Sequence, residues 1–183
     1  MGMKSVTLSL AALTVISTIL SVVPVYAQTT DTMTDAHISR IKSNCQVALA
    51  TLSQIHANDA PIYINRNQTY FSISDKLMAR LNSRLTLDRY DATQLVKISS
   101  DYNTALAKFR TVYKQYDDIM AAVVHMDCNR QPVSFYDKVG SARIARQKVH
   151  DTVVQMTAYI DQYQSAVQAF QTLHASALEG GRS

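Results

Sequence analysis

The chain contains one local cluster of side chains that could bind a metal, His125-Met126-Asp127-Cys128. A metal interpretation pairs the imidazole of His125 with the thiolate of Cys128, and both groups are common zinc ligands. A stable site needs three or four converging ligands, but the other histidines are scattered and lack i, i+4 pairing: His37, His56, His150 and His174. We therefore interpret the cluster as a helix end followed by a disulfide cysteine, and we expect neither a metal nor a cofactor.

Sequence patterns that accompany catalysis are missing. The chain has no G-x-G-x-x-G, no G-x-x-x-x-G-K and no nucleophile elbow, so nothing supports a phosphate-binding loop or a serine hydrolase. Thirteen of its 14 acidic residues are Asp, and Glu179 is the only Glu. A di-iron helical bundle needs several inward-facing Glu side chains and is excluded. We predict that the protein is not an enzyme and has no catalytic residues.

The two cysteines, Cys45 and Cys128, could form a disulfide. An even cysteine count favours a disulfide in an oxidising compartment; otherwise both are small buried apolar residues. Their midpoint falls between residues 86 and 87, within a predicted loop. Residues equidistant from the turn of an antiparallel helix pair lie at one level, so the two sulfurs can meet if the helices run straight. We predict a Cys45–Cys128 disulfide.

A basic stretch follows the second cysteine. Residues 128–150 hold five basic residues against Asp137, a net charge of +4: Arg130, Lys138, Arg143, Arg146 and Lys148. A weaker basic stretch covers residues 62–90, and such separated patches do not predict nucleic-acid binding. The first stretch is a candidate surface for an anionic partner, although surface charge also serves solubility. Arg146 interrupts an apolar stripe, so we expect it to snorkel or to pair with an Asp such as Asp101.

The N-terminus predicts export. Lys4 precedes an apolar run over residues 6–23, and Ala27 ends a small-residue cleavage site, so residues 1–27 are interpreted as a signal peptide cleaved after Ala27. An uncleaved N-terminal anchor is the alternative. Residues 28–34 are expected to form a disordered linker, and no later segment is apolar enough to span a membrane. The predicted location is secreted, periplasmic or on the exterior of the cell envelope.

The rest of the chain predicts an all-α fold, an elongated antiparallel helical bundle or coiled coil with three long arms. Apolar residues recur at alternating steps of three and four over residues 95–126 and 135–174, which is the pattern of long paired helices. Asp59 and Pro61 can begin a new helix, so we expect the first arm to break near Pro61. The four predicted helices cover about residues 35–57, 60–85, 92–126 and 132–177 of a single domain (35–178), before a flexible tail (179–183).

Several segments resemble an uncharacterised family of small exported helical-bundle, coiled-coil-like bacterial proteins. The resemblance covers most of the mature chain and is carried by residues 127–136, Ser141-Ala142-Arg143, residues 81–85 and Tyr90-Asp91. It implies secretion, a helical bundle and the two cysteines, but no activity and no site residues.

These features favour an exported, non-enzymatic structural or protein-interaction module of the envelope or extracellular space. The expected partner is an envelope or extracellular protein, anionic if the basic stretch is its docking surface. A homodimer is left open, because a second copy could cover an apolar edge of the bundle. One alternative is a periplasmic holdase chaperone that binds unfolded envelope proteins. The second alternative is a metal-binding or enzymatic protein that uses His125 and Cys128.

Overall fold

The chain folds as an all-α bundle of three long arms, as predicted. A computed structural model describes residues 33–180, with side chains as far as residue 175, and no strand occurs in that part of the chain. The first arm contains α1, α2, a π-helical segment and α3, and it is followed by the long helices α4 and α5. The bounds are α1 Asp35–Ser43, α2 Cys45–Ser72, the π-helical segment Ile73–Ala79, α3 Arg80–Leu87, α4 Thr93–Val124 and α5 Pro132–Gly180.

The predicted signal peptide and most of the predicted linker lie outside the described residues. Helix α1 begins at Asp35, and the side chain of Thr34 accepts a hydrogen bond from the His37 N–H at 3.4 Å. This is the usual way in which a hydroxyl satisfies a free donor at a helix start. At the other end of the chain, α5 continues to Gly180, beyond the predicted end at residue 177.

The first arm is not broken at Pro61, so that prediction is wrong. Helix α2 continues through Pro61, which is exposed; the carbonyl group left without its helical donor can therefore bond to water. A proline inside a helix costs about 3 kcal/mol, and packing of the flanking residues Asp59 and Tyr63 against α4 offsets that cost. The actual interruption is at Asn44, whose side-chain amide donates to the Arg40 carbonyl at 2.9 Å and so competes with the helical backbone pattern.

A π-helical segment changes which face of the first arm is buried. Leu77 is 62% exposed, whereas its neighbour Met78 is 2% exposed. The wider π turn shifts the helical phase, because its hydrogen bonds run from i to i+5. Tyrosine hydroxyls bond to backbone carbonyls at both ends of the segment: Tyr102 to Tyr70 at 3.0 Å and Tyr163 to Met78 at 3.2 Å.

The arms are joined by short turns with polar caps. Between α3 and α4, the carboxylate of Asp91 accepts a hydrogen bond from the Thr93 N–H at 3.0 Å. Hydrogen bonds from the side chain and then from the backbone of Thr93 lower the pKa of Asp91. Between α4 and α5, the carboxylate of Asp127 accepts from the N–H groups of Asn129 and Arg130 at 3.0 and 3.1 Å. Short turns of this kind make successive helices antiparallel neighbours.

Helix α4 lies between the other two arms. It packs along α5 and also against α2, while the backbones of α2 and α5 scarcely approach each other. Helix α1 does contact α5, so the separation between the first arm and α5 begins beyond α1. None of the described helices has an apolar stretch long enough to cross a membrane.

The core has an uneven distribution along the bundle. One large apolar cluster lies near the α3–α4 turn and includes Met78, Leu95, Tyr102, Phe109 and Met156. Two smaller clusters lie towards the α4–α5 turn: one is centred on Tyr116, Met120 and Ala142, and the other on Cys45, Val123, Cys128 and Phe135. The candidate site lies beside the smaller clusters.

Candidate functional site

The predicted disulfide is present. Cys45, at the start of α2, is bonded to Cys128, in the α4–α5 turn, with their Cα atoms 5.6 Å apart. Both residues are buried, at 2% and 0% exposure. The bond ties the first arm to the α4–α5 turn at the level expected from the midpoint of the two positions.

The disulfide also determines whether the cluster of His125 and Cys128 can bind a metal or react with a substrate. While Cys128 is bonded to Cys45 it has no thiolate for a metal or a substrate. His125 forms the exposed C-cap of α4. Within residues 33–175, no group of three or more His, Cys, Asp or Glu side chains converges as metal ligands would.

An open groove runs between α2 and α5, with α4 as its floor. It contains two cavities of about 480 and 350 Å³. The larger is next to the disulfide end, and its apolar lining includes Leu52, Ile55, Met120, Phe135 and Val139. The smaller is lined mainly by aromatic and charged side chains, namely Asp59, Tyr63, Arg66, Phe109, Tyr113, Tyr116, Arg146 and His150, with the aliphatic Ile62, Val149 and Val153.

A polar bridge crosses the groove where the two cavities meet. The carboxylate of Asp59 accepts a hydrogen bond from the Tyr116 hydroxyl at 2.5 Å and another from the Arg146 guanidinium at 3.3 Å. The side chain of Asp59 is 14% exposed and that of Arg146 is 59% exposed. Burial raises the pKa of Tyr116, and the hydrogen bond to Asp59 raises it further. The bridge links all three arms.

One prediction about these residues is wrong, and the prediction that Arg146 pairs with an Asp is confirmed with a partner other than Asp101. Asp59 lies inside α2 and does not cap a new helix. Arg146 pairs with Asp59 rather than with Asp101, which accepts a hydrogen bond from Lys97 at 2.8 Å on its own helix. Sequence spacing showed that Arg146 interrupts the buried stripe, but it did not show which arm would supply the acid.

Aromatic rings form the wall of the smaller cavity. The rings of Tyr63 and Tyr113 stack with their centroids 3.7 Å apart and an interplanar angle of 5°. Within the described part of the chain, the Tyr113 hydroxyl is the only buried side-chain polar atom without a hydrogen-bond partner. Burial, together with the nearby carboxylates of Asp117 and Asp59, raises the pKa of Tyr113 to about 12.

A second polar contact lies between α2 and α4 and does not line the groove. His56 Nε2 is 2.8 Å from a carboxylate oxygen of Asp117. The neighbouring Asp118 pairs instead with Lys114 on its own helix. The His56–Asp117 pair has the same midpoint as the two cysteines, so the cysteine register could have identified it.

The predicted basic stretch is divided by the fold. Arg143 and Arg146 line the groove, Arg130 pairs with Asp127 at 3.4 Å in the α4–α5 turn, and Lys138 and Lys148 are exposed outside the groove. All five side chains are exposed. The groove adds two basic residues that sequence reasoning did not assign to the site, Arg66 and His150.

Comparisons with protein-family models, with curated proteins and with solved structures give no match to this chain. The family resemblance therefore remains a prediction, and the groove is interpreted from its own residues.

Proposed function

We propose that this protein is an exported, non-enzymatic interaction module, and that its groove between α2 and α5 holds a helical segment of a partner protein. The observation that carries the proposal is the arrangement of the arms. In a four-helix bundle each helix has two neighbours, whereas α2 and α5 both pack on α4 and their backbones scarcely approach each other. The groove occupies the position that a fourth helix would fill.

The lining of the larger cavity supports this function. It is mainly apolar, with Leu52 and Ile55 from α2, Met120 from α4, and Phe135 and Val139 from α5. Leu52, Ile55 and Val139 are only partly buried, so a partner helix could remove more of their surface from water. Burial of apolar surface contributes roughly 25 cal/mol per Å², and an amphipathic helix in an apolar groove is a common mode of recognition.

The disulfide supports export. Disulfide bonds persist in oxidising compartments and are rare in the cytosol, and the pair Cys45–Cys128 is fully buried in the bundle. Together with the N-terminal sequence pattern, this is the basis for proposing a location outside the cytoplasm.

A holdase chaperone is the second candidate, and exposed apolar side chains along the first arm favour it. Five of them are 48–69% exposed: Val47, Ile62, Ile64, Phe71 and Leu77. A holdase should suppress the aggregation of an unfolded client in a light-scattering assay. Unchanged scattering at a molar excess of this protein would exclude that function.

Site-specific photo-crosslinking tests the interaction function. A photoreactive amino acid replaces Ile55 in the groove or, as a control, Val96, an exposed residue of α4 that does not line it. We expect one recurring crosslinked partner from position 55 and none from position 96. Ala48→Trp, which fills the groove, should abolish the crosslink, whereas Ala50→Trp on the exposed face should retain it. Equal crosslinking from both positions would contradict the proposal.

A further inference from the structure

We infer that the segment held by the groove is an acidic amphipathic helix of about 18 residues. This inference rests on the proposed function and specifies the chemistry of the partner. It follows from the charge, spacing and length of the groove.

The free charge of the groove is positive. Among the described residues, its ionisable side chains include Arg66, Arg143, Arg146 and His150, against Asp59 as the only acid. Asp59 already accepts hydrogen bonds from Tyr116 and Arg146. In the described part of the chain, Arg66 and Arg143 form no ion pair. They are therefore available to an incoming carboxylate, and complementary charge favours the encounter and the correct partner.

The spacing of the basic residues fits a helical ligand. Arg143, Arg146 and His150 follow one another at steps of three and four, so they lie on one side of α5. At 1.5 Å per residue they span about 10 Å along the helix. Acidic residues repeating at the same steps on a partner helix would face them in turn, while Arg66 approaches from α2.

The apolar floor and the length of the groove set two further requirements for the ligand. Between the basic residues lie apolar side chains such as Leu52, Met120 and Val149, so a uniformly acidic chain would leave them exposed. On α2 the groove extends from Ala48 to Arg66, about 27 Å at the helical rise. A helix of about 18 residues, with one apolar face and acidic flanks, matches that length.

A second copy of this chain is a poorer occupant. The chain carries a formal net charge of +4, and its longest helix supplies three of the basic groups around the groove. Docking another basic helix there would bring like charges together, which costs binding energy. The occupant is therefore expected to come from a different, acidic protein.

Two synthetic peptides provide the test. Both have 18 residues and the same leucine stripe; one carries glutamate at the flanking positions and the other carries lysine. Binding to the full-length oxidised protein is measured by fluorescence anisotropy at about 0.15 M salt. We expect the glutamate peptide to bind at least about tenfold more tightly, a difference of about 1.4 kcal/mol. Its affinity should also fall as the salt concentration rises.

Two charge-matched double variants show whether the glutamate peptide binds in the groove or elsewhere. The double substitution Arg66→Glu and Arg143→Glu should weaken glutamate-peptide binding at least about tenfold. The double substitution Lys138→Glu and Lys148→Glu makes the same change in net charge outside the groove and should change affinity less than about twofold. Circular dichroism confirms that each variant remains helical.

The outcomes separate this inference from the function on which it rests. Equal binding of both peptides, abolished by Ala48→Trp, would overturn the acidic ligand but leave the groove as a helix-binding site. Equal competition by polyglutamate would overturn the amphipathic ligand and reduce the site to a charged surface. Failure of both peptides to bind would overturn the inference, and failure of the crosslinking experiment as well would remove the proposed function.

Discussion

The two halves of this bundle are stabilised in different ways. Towards the α3–α4 turn, all three arms contribute to one apolar cluster that includes Met78, Leu95 and Met156; we call this the closed half. Towards the α4–α5 turn the clusters are smaller, the groove separates α2 from α5, and specific cross-links join the arms; we call this the open half. Those links are the disulfide, the bridge at Asp59 and the His56–Asp117 contact.

The difference shows how a thin bundle can keep an unfilled site without losing its fold. Apolar burial is non-directional and is greatest where the arms converge. A disulfide or a hydrogen-bonded charge instead fixes two points and leaves the space between them open. The open half therefore depends on a few named contacts, and changes to them should affect it more than changes to any single apolar residue there.

The largest expected effect is loss of the disulfide. Replacing Cys45 and Cys128 with Ala should lower the free energy of unfolding by about 4–5 kcal/mol, because the unfolded chain regains the entropy of an 83-residue loop. Guanidinium unfolding measures the change, and reducing agent should destabilise the wild type but not the double variant. A loss below about 1 kcal/mol would show that the open half does not depend on this link.

The next prediction compares the stability lost when one apolar residue in each half is replaced by Ala. Met156→Ala should cost about 2–5 kcal/mol, since Met156 is 0% exposed in the large apolar cluster and does not line the groove. Leu52→Ala in the groove should cost less, about 1–2 kcal/mol, because Leu52 is only partly buried and its removal leaves a smaller cavity. Urea unfolding of the two variants gives both values, and equal costs would contradict the division into halves.

A smaller difference in stability is expected between removing the Tyr116 hydroxyl and removing the neighbouring Tyr113 hydroxyl in the open half. Tyr116→Phe removes a hydrogen bond to the charged Asp59 and should cost about 1.5–3 kcal/mol. Tyr113→Phe removes a hydroxyl that has no partner among the described residues, so we expect a change within about 0.5 kcal/mol or a slight gain. Thermal unfolding of the pair tests this, and the reverse order would refute the assignment of the bridge.

The smallest effect is confined to alkaline pH. Burial raises the pKa of Tyr102, Tyr113, Tyr116 and Tyr163 above the ordinary value of 10.0. The unfolded chain loses these protons first, so the native state binds more protons and stability falls as the pH rises above about 10. Tyrosine absorbance at 295 nm and helical signal, followed from pH 9 to 12, should change together for these residues. Titration of all tyrosines near pH 10 in a fully helical protein would contradict the prediction.

The general architecture follows from the sequence because long helices have a regular period. The stripe on α4 predicted buried positions such as Leu95, Tyr102, Phe109 and Val123, and these are buried. The cysteine midpoint gave the correct level between the first arm and α4. Both inferences depend on repeated spacing, which local exceptions do not disturb.

The features that the sequence did not predict depend on tertiary contacts between segments that lie far apart in the chain. Pro61 is a strong local signal for a break, but packing on either side of it outweighs that preference. The π-helical segment leaves Leu77 exposed and places Met78 in the core, because the wider turn changes the local helical phase. The bridge at Asp59 joins residues from three arms, so its identity appears only when all three registers are known.

The groove was not predicted for a related reason. The same apolar stripes are compatible with three arms in mutual contact or with α2 and α5 apart. The sequence singled out Arg146, which interrupts the apolar stripe, but gave no reason to separate Arg143 from Lys138 and Lys148. That separation depends on the rotation of α5 about its axis relative to α2.

Hydrogen exchange of the free protein, resolved by residue, tests the central claim most directly. If α2 and α5 flank an unfilled groove, the amides of residues 48–66 in α2 should exchange faster than those of residues 95–109 in α4 under native conditions. Uniformly slow exchange through α2, equal to that of α4, would mean that the first arm packs on both other arms in solution and that the groove is closed.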